Sequence, residues 1–190
     1  MALPAGVSGF YYIIVATDLT DDRRSQIKET DEGNNTISDS LLVSFTEPDL
    51  VLDTMQVQPT SVGSGGEITV SWTVTNDGTR DTTQTNWTDV LYLSRDNTID
   101  SADQRFSVAG WSKDLAGGTE RPLAIGESYT QTAKIKIPIN AEGRFYVLVA
   151  ADELSRFPRF GDSVPEFFRE FNNFGGAFFD VTLSPTPDLQ

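Results

Sequence analysis

Alternation of apolar and polar residues sets the reading of this chain. Ile68, Val70, Trp72 and Val74 alternate with Thr69, Ser71, Thr73 and Thr75, the period-two pattern of a half-buried strand. Asn76-Asp77-Gly78 closes it, because Asp-Gly favours the positive φ of a tight turn. Leu50, Leu52 and Val57 give a looser alternation before it. A further strand is predicted at 87–94 around Val90-Leu91-Tyr92-Leu93, and a short one at 106–111. Another starts after Gly126, with Tyr129, Ala133, Ile135 and Ile137, and stops at Pro138. The last two are 143–152 and 177–183. No segment of helical length shows a 3.6-residue period.

One strand occurs twice. Gly143-Arg-Phe-Tyr-Val-Leu-Val-Ala-Ala-Asp152 is preceded by Gly9-Phe-Tyr-Tyr-Ile-Ile-Val-Ala-Thr-Asp18. Each copy leads to an Asn-Asn pair (Asn34-Asn35, Asn172-Asn173) and then to Pro-Asp-Leu (48–50, 187–189). The glycines stand 134 residues apart, and Pro48 and Pro187 stand 139 apart, because the second copy carries a longer loop after Asp152. Such a period is too long for a solenoid unit and suits domains in series. The phase divides the chain into 1–46, the closing strands of a preceding unit; 47–184, one whole unit; and 185–190, the start of another. Two strands cannot bury both faces and are marginal alone. Residues 1–46 are therefore expected to be completed by strands of another chain or to pack on the following domain.

About seven short strands joined by turns predict an all-β fold, an immunoglobulin-like antiparallel β-sandwich. Pro48-Asp-Leu-Val51, the segment 66–78, Trp87-Thr-Asp-Val-Leu-Tyr-Leu-Ser-Arg-Asp96 and Glu170-Phe-Asn-Asn173 together resemble a CARDB-type domain, the cell-adhesion-related domain of bacterial and archaeal surface proteins. Glu29-Thr-Asp-Glu-Gly-Asn-Asn35 is similar to that family's closing motif. The resemblance implies an immunoglobulin-like sandwich repeated within long extracellular proteins, with adhesion or scaffolding as its role. Such modules also flank secreted enzymes. The loop 153–169 departs from the family pattern in length and in its Phe content.

Composition narrows the chemistry. The 190 residues carry a formal charge of −14, which disfavours nucleic acid and anionic membrane surfaces. No apolar run approaches the roughly 18–20 residues of a membrane span, and the start does not read as a signal peptide. There is no Cys and no His, which removes disulfides, zinc-thiolate sites and every Ser–His or Cys–His nucleophile system. An extracellular chain without Cys reads as bacterial, secreted or on the cell surface. No pair of carboxylates stands out as a catalytic pair, and the chain is expected not to be an enzyme.

Three binding features remain. Asp96, Asn97, Asp100 and Asp103 put four hard-oxygen side chains between two strands, a candidate calcium loop. The spacing is not an EF-hand, and the alternative is a run of Asx turns. Phe157, Phe160, Phe167, Phe168, Phe171, Phe174, Phe178 and Phe179 cluster after the second repeated strand, among 12 Phe in the chain. Phe157, Phe160, Phe167 and Phe168 are the candidate docking residues, for neighbouring repeats or copies of the same chain. Alternatively the loop folds back and caps its own sandwich. Among the three Trp residues, Trp72 lies in phase with a core row, whereas Trp111 lies beside a Gly- and Lys-containing loop and is the candidate for stacking on a sugar. The overall expectation is a structural or adhesive repeat module, assembling end to end or by strand exchange into filaments; the alternative is a carbohydrate-binding accessory module of a secreted enzyme, recognising surface glycans.

Overall fold

The computed structural model describes residues 3–4, 6–18, 27–112, 114–115, 117–153, 164–167 and 169–184. The chain divides into two compact units, Met1–Phe45 and Thr46–Gln190.

The first unit is a hairpin. β1 (Gly9–Ala16) pairs antiparallel with β2 (Thr36–Val43) in eight consecutive pairs, from Gly9 opposite Val43 to Ala16 opposite Thr36. A single 3₁₀ turn, Glu32–Asn34, precedes β2, and the Asp31 carboxylate caps it by accepting from the Gly33 amide at 2.9 Å. Nearly every side chain of the hairpin is exposed.

The second unit is a sandwich of eight strands: β3 (Leu50–Gln58), β4 (Ser61–Gly63), β5 (Glu67–Asn76), β6 (Thr88–Ser94), β7 (Gln104–Ala109), β8 (Ser128–Lys136), β9 (Gly143–Ala150) and β10 (Phe174–Thr182). One sheet has the order β3-β5-β8; the other has the order β4-β10-β9-β6-β7. All pairings are antiparallel except β10 with the three residues of β4. This is the immunoglobulin-like arrangement. The alternating row of β5 does what its pattern predicts: Ile68, Val70, Trp72 and Val74 enter the core between the sheets. They meet Leu91 and Leu93 of β6, Phe145, Val147 and Val149 of β9, and Phe179 and Val181 of β10. Burying each such side chain contributes roughly 1.5–3 kcal/mol.

The strand expected at 106–111 runs over Gln104–Ala109, so Trp111 falls beyond it, and β4 is additional to the strands expected. β6 is buried on both faces. Val90 and Tyr92 on its outer side form a second small core with Leu148, onto which Ile99 and Tyr146 pack.

The repeated strand recurs in three dimensions. β9 pairs with β10 in eight antiparallel pairs, Gly143 opposite Val181 through Ala150 opposite Phe174, the register of β1 with β2. Past the strand, Thr17 N donates to Asn35 O at 2.9 Å and Ala151 N donates to Asn173 O at 2.9 Å. Gly9 and Gly143 both have positive φ, and Asp18 (φ 54°) and Asp152 (φ 53°) are both left-handed. Asp tolerates this region because its short polar side chain bonds locally. In each copy the carboxylate accepts an amide beyond the following loop, Ile27 N for Asp18 and Val164 N for Asp152.

Candidate functional site

The acidic loop between β6 and β7 caps itself. Asp96 Oδ1 accepts from Thr98 N at 2.8 Å, Asp100 Oδ1 from Ala102 N at 2.7 Å, and Asp103 Oδ2 from Asp100 N at 2.8 Å. The first two are Asx-type turns, and the third ties Asp103 back across the loop. Asp96, Asp100 and Asp103 also border an open cleft of about 260 Å³ that is shared with the cationic Arg95 and with Phe145. Asn97 leaves them: its Oδ1 lies over Gly176 of β10, where a Cβ would come within 2.8 Å. Among the described residues no three acidic side chains are gathered as a cation site. The loop's visible work is to carry Ile99 onto the outer face of β6 and β9.

Trp111 is corrected by the structure. It is 1% exposed, so neither ring face is open to a sugar. It packs 6.4 Å from Trp87 and 6.1 Å from Tyr129, and its Nε1 donates to Arg121 O at 2.8 Å. The chain segment around Arg121 and Leu123 closes over it, and Arg121 is itself paired with Glu127. Its local sequence context carried none of this. Trp72 and Trp87 are buried as well.

Of the candidate docking residues, Phe157, Phe160 and Phe168 lie outside the described residues. Phe167 is exposed, and its amide donates to Glu47 Oε2 at 2.8 Å. The rest of the cluster splits. Phe179 is buried and stacks on Phe145, while Phe171, Phe174 and Phe178 are exposed. Phe178 lies beside Tyr146 under the Arg144 guanidinium.

Two polar assemblies stand apart from these candidate sites. Asp89 of β6 is fully buried in the core. Its carboxylate accepts from Trp72 Nε1 at 2.7 Å, from Tyr129 OH at 2.9 Å and from Asp152 N at 3.2 Å. Trp87 Nε1 donates in turn to Tyr129 OH at 3.0 Å. Burial pushes the Asp89 carboxyl up to about 6 against these donors, and burial beside Asp89 also raises the Tyr129 phenol. The second assembly locks the start of β3 to the segment before β10. Buried Asp49 pairs with Arg169 at 2.6 Å and accepts from Asn172 Nδ2 at 2.8 Å. Glu166 Oε1 accepts from Leu50 N at 2.8 Å, and Leu52 N donates to Asn172 O at 3.1 Å. Burial raises the Glu166 carboxyl to about 9, helped by the charges of Glu170 and Asp49. The repeated Pro-Asp-Leu and Asn-Asn strings supply Asp49, Leu50 and Asn172 to this second assembly. Neither assembly pairs a nucleophile with a base. Both fasten strands.

The family model CARDB matches residues 47–158. No curated protein matches the chain in sequence. The CARDB domain of a Pyrococcus furiosus protein, solved in complex with di-metal ions, is 20% identical over 75% of this chain and 100% of that domain, with a TM-score of 0.45. Alkylpurine DNA glycosylase AlkC of Pseudomonas fluorescens, bound to DNA containing an abasic site analog, is 14% identical over 72% of this chain and 31% of that one, with a TM-score of 0.38. A β-glucosidase from Listeria innocua in complex with glucose is 15% identical over 74% of this chain and 17% of that one, with a TM-score of 0.37.

Proposed function

The chain belongs to the CARDB family, a family of structural modules, and from that premise we propose that it is a non-catalytic repeat of an extracellular or cell-surface bacterial protein, set in series with other sandwiches of its kind. In this reading the hairpin β1–β2 is the closing hairpin of a preceding sandwich, and the short joint after it leads directly into the next one. The observation that carries the reading is the shared register of β1–β2 and β9–β10, pair for pair over eight pairs. In β9, Val147 and Val149 are fully buried between sheets; the matching Ile13 and Val15 of β1 are 58% and 54% exposed. Two β-strands with both edges open and an apolar face in water are marginal, so the hairpin has a use only within a larger sheet. The work of the module is then mechanical and spatial: it holds whatever it connects at a set separation.

Native-state hydrogen exchange tests this. Amides of residues 9–43 are expected to exchange much faster than those of β5, β6 and β9 in the chain alone. They are expected to become protected when the polypeptide is extended by the sequence that precedes it in its parent. Strong protection of the hairpin in the monomeric chain alone would refute the reading.

A further inference from the structure

We infer that the hairpin of residues 9–43 is keyed to a sandwich unlike the one in this chain: one with a small side chain at the place of Leu52 and a polar partner for Asp39. This rests on the proposal that β1–β2 is a closing hairpin, and it names what that hairpin closes.

The equal registers allow the two hairpins to be compared residue by residue. In the second unit the row of β9 and β10 that faces the other sheet is Phe145, Val147 and Val149 on β9 and Gly175, Ala177, Phe179 and Val181 on β10. The same row in the first unit is Tyr11, Ile13 and Val15 with Ile37, Asp39, Leu41 and Val43. Five positions match in kind: Tyr11 for Phe145, Ile13 for Val147, Val15 for Val149, Leu41 for Phe179 and Val43 for Val181. Two do not. Ile37 stands where this sandwich has Gly175, and Asp39 stands where it has Ala177.

Both mismatches fall against the apolar core, the first where a side chain already stands. A Cβ on Gly175 would lie 2.6 Å from Leu52 Cδ2 and 3.8 Å from its Cγ, so the β3 side chain occupies the volume that Ile37 needs. A branched Ile brings three more carbons than that Cβ, so Leu52 must leave its present rotamer for Ile37 to enter, at a repacking cost. Ala177 is packed against the core and is paired in register with fully buried Val147. Ala177 is itself only partly buried, so a carboxylate placed there would be partly desolvated against an apolar wall, at a cost that a polar partner would offset. The outer row differs too: the Arg144–Asp180 ion pair is replaced by Phe10 opposite Leu42. The hairpin therefore fits the general architecture of this sandwich and fits its core poorly at two positions. Exchange of hairpins between identical copies is disfavoured, and the order of unlike repeats in a series is specified by which hairpin fits which sheet.

The test joins residues 47–142 ahead of Gly9 of the chain, so that β3–β8 of this sandwich are offered to β1–β2 with Gly9 in the place of Gly143. Three such tandems are compared by hydrogen exchange of the hairpin amides: one of native sequence, one with Ile37→Gly and Asp39→Ala, and one with Leu52→Gly in the leading copy only together with Asp39→Ala. The expected result is that the native tandem leaves the hairpin as unprotected as in the parent chain, while both altered tandems gain protection of about 100-fold or more, as an element entering a cooperative core does. Ile37→Gly and Asp39→Ala in the parent chain without the leading segment serve as the control and are expected to add no protection. Equal protection in the native tandem would overturn the keyed fit and leave the closing-hairpin reading standing. Failure of all three tandems to protect the hairpin would overturn both.

Discussion

The indole nitrogen of Trp72 donates a 2.7 Å hydrogen bond to Oδ2 of Asp89, tying the middle strand of one sheet to the other sheet through the core. Trp72 sits on β5 and Asp89 on β6, and neither is more than 1% exposed. Tyr129 of β8 and the Asp152 backbone complete the ring of donors around the carboxylate. A carboxylate is tolerated at this depth because three donors from three segments converge on it.

Removing that carboxylate leaves the donors unpaired. Asp89→Ala is expected to destabilise the sandwich by about 2–4 kcal/mol, and Asp89→Asn by less, because its amide oxygen still accepts. Urea denaturation followed by Trp fluorescence measures both. An Ala variant within experimental error of the native chain would show that the network is dispensable.

The pH dependence should run against the ordinary direction for an acidic protein. Asp89 titrates at about 6 and Glu166 at about 9 in the folded chain, both raised from near 4. Between the unfolded and folded values the folded state holds protons that the unfolded state has lost, so these two groups remove stability as pH rises. The Asp89 effect spans about pH 4 to 6 and the Glu166 effect about pH 4.5 to 9. The charges of Glu170 and Asp49 act on Glu166, and Asp49 is itself paired with Arg169. The melting temperature is expected to fall between pH 6 and pH 9, and Glu166→Gln is expected to flatten that slope while keeping an acceptor for the Leu50 amide. A slope unchanged in Glu166→Gln would exclude Glu166 as its source.

Trp111→Ala is expected to behave as a core truncation. A loss of about 3–5 kcal/mol is anticipated from the cavity between Trp87, Tyr129 and Arg121. Thermal denaturation reads this directly. Retained stability with lost retention on immobilised polysaccharide would reinstate the surface role that its burial rules out.

Gly78 holds the joint at the start of β3. A Cβ there would meet Glu47 O at 2.5 Å, Asp49 N at 2.6 Å and Pro48 C at 2.6 Å, all backbone atoms that cannot swing aside. Gly78→Ala is expected to cost about 1–3 kcal/mol and to speed hydrogen exchange of the Asp77 and Thr79 amides, which donate to Asp49 O and Glu47 O. Native exchange rates at both amides would sink this account.

The sequence exposed what is local and hid what is not. β5 was readable because one of its faces is buried, which its alternation records residue by residue. The repeat was readable because Gly9 and Gly143, and Asp18 and Asp152, mark special backbone geometry with the residues that tolerate it. The double burial of β6 was not, since a continuous apolar run does not say which loop covers its second face; Ile99 does so from a stretch that read as a cation loop. Trp111 was misjudged because its neighbours in sequence are loop residues, while its neighbours in space are Trp87 just before β6, Tyr129 of β8 and the segment at Arg121. Asp89 looked like any strand acid until Trp72 and Tyr129 were placed around it.

The position of β10 beside β4 has a consequence for load. The chain enters the sandwich at Leu50, next to Glu166 and Asn172, and leaves at Thr182, next to Ser64, at the other end of the strands. One traverse of the nine-residue β3 is about 30 Å, so in the proposed series each module is expected to advance the chain by about that length. Tension applied through both ends runs along β3 and β10. The ladders β3–β5 and β10–β9 lie across that direction, so in the proposed series they are expected to be loaded in shear, much as a lap joint is when drawn apart in its own plane.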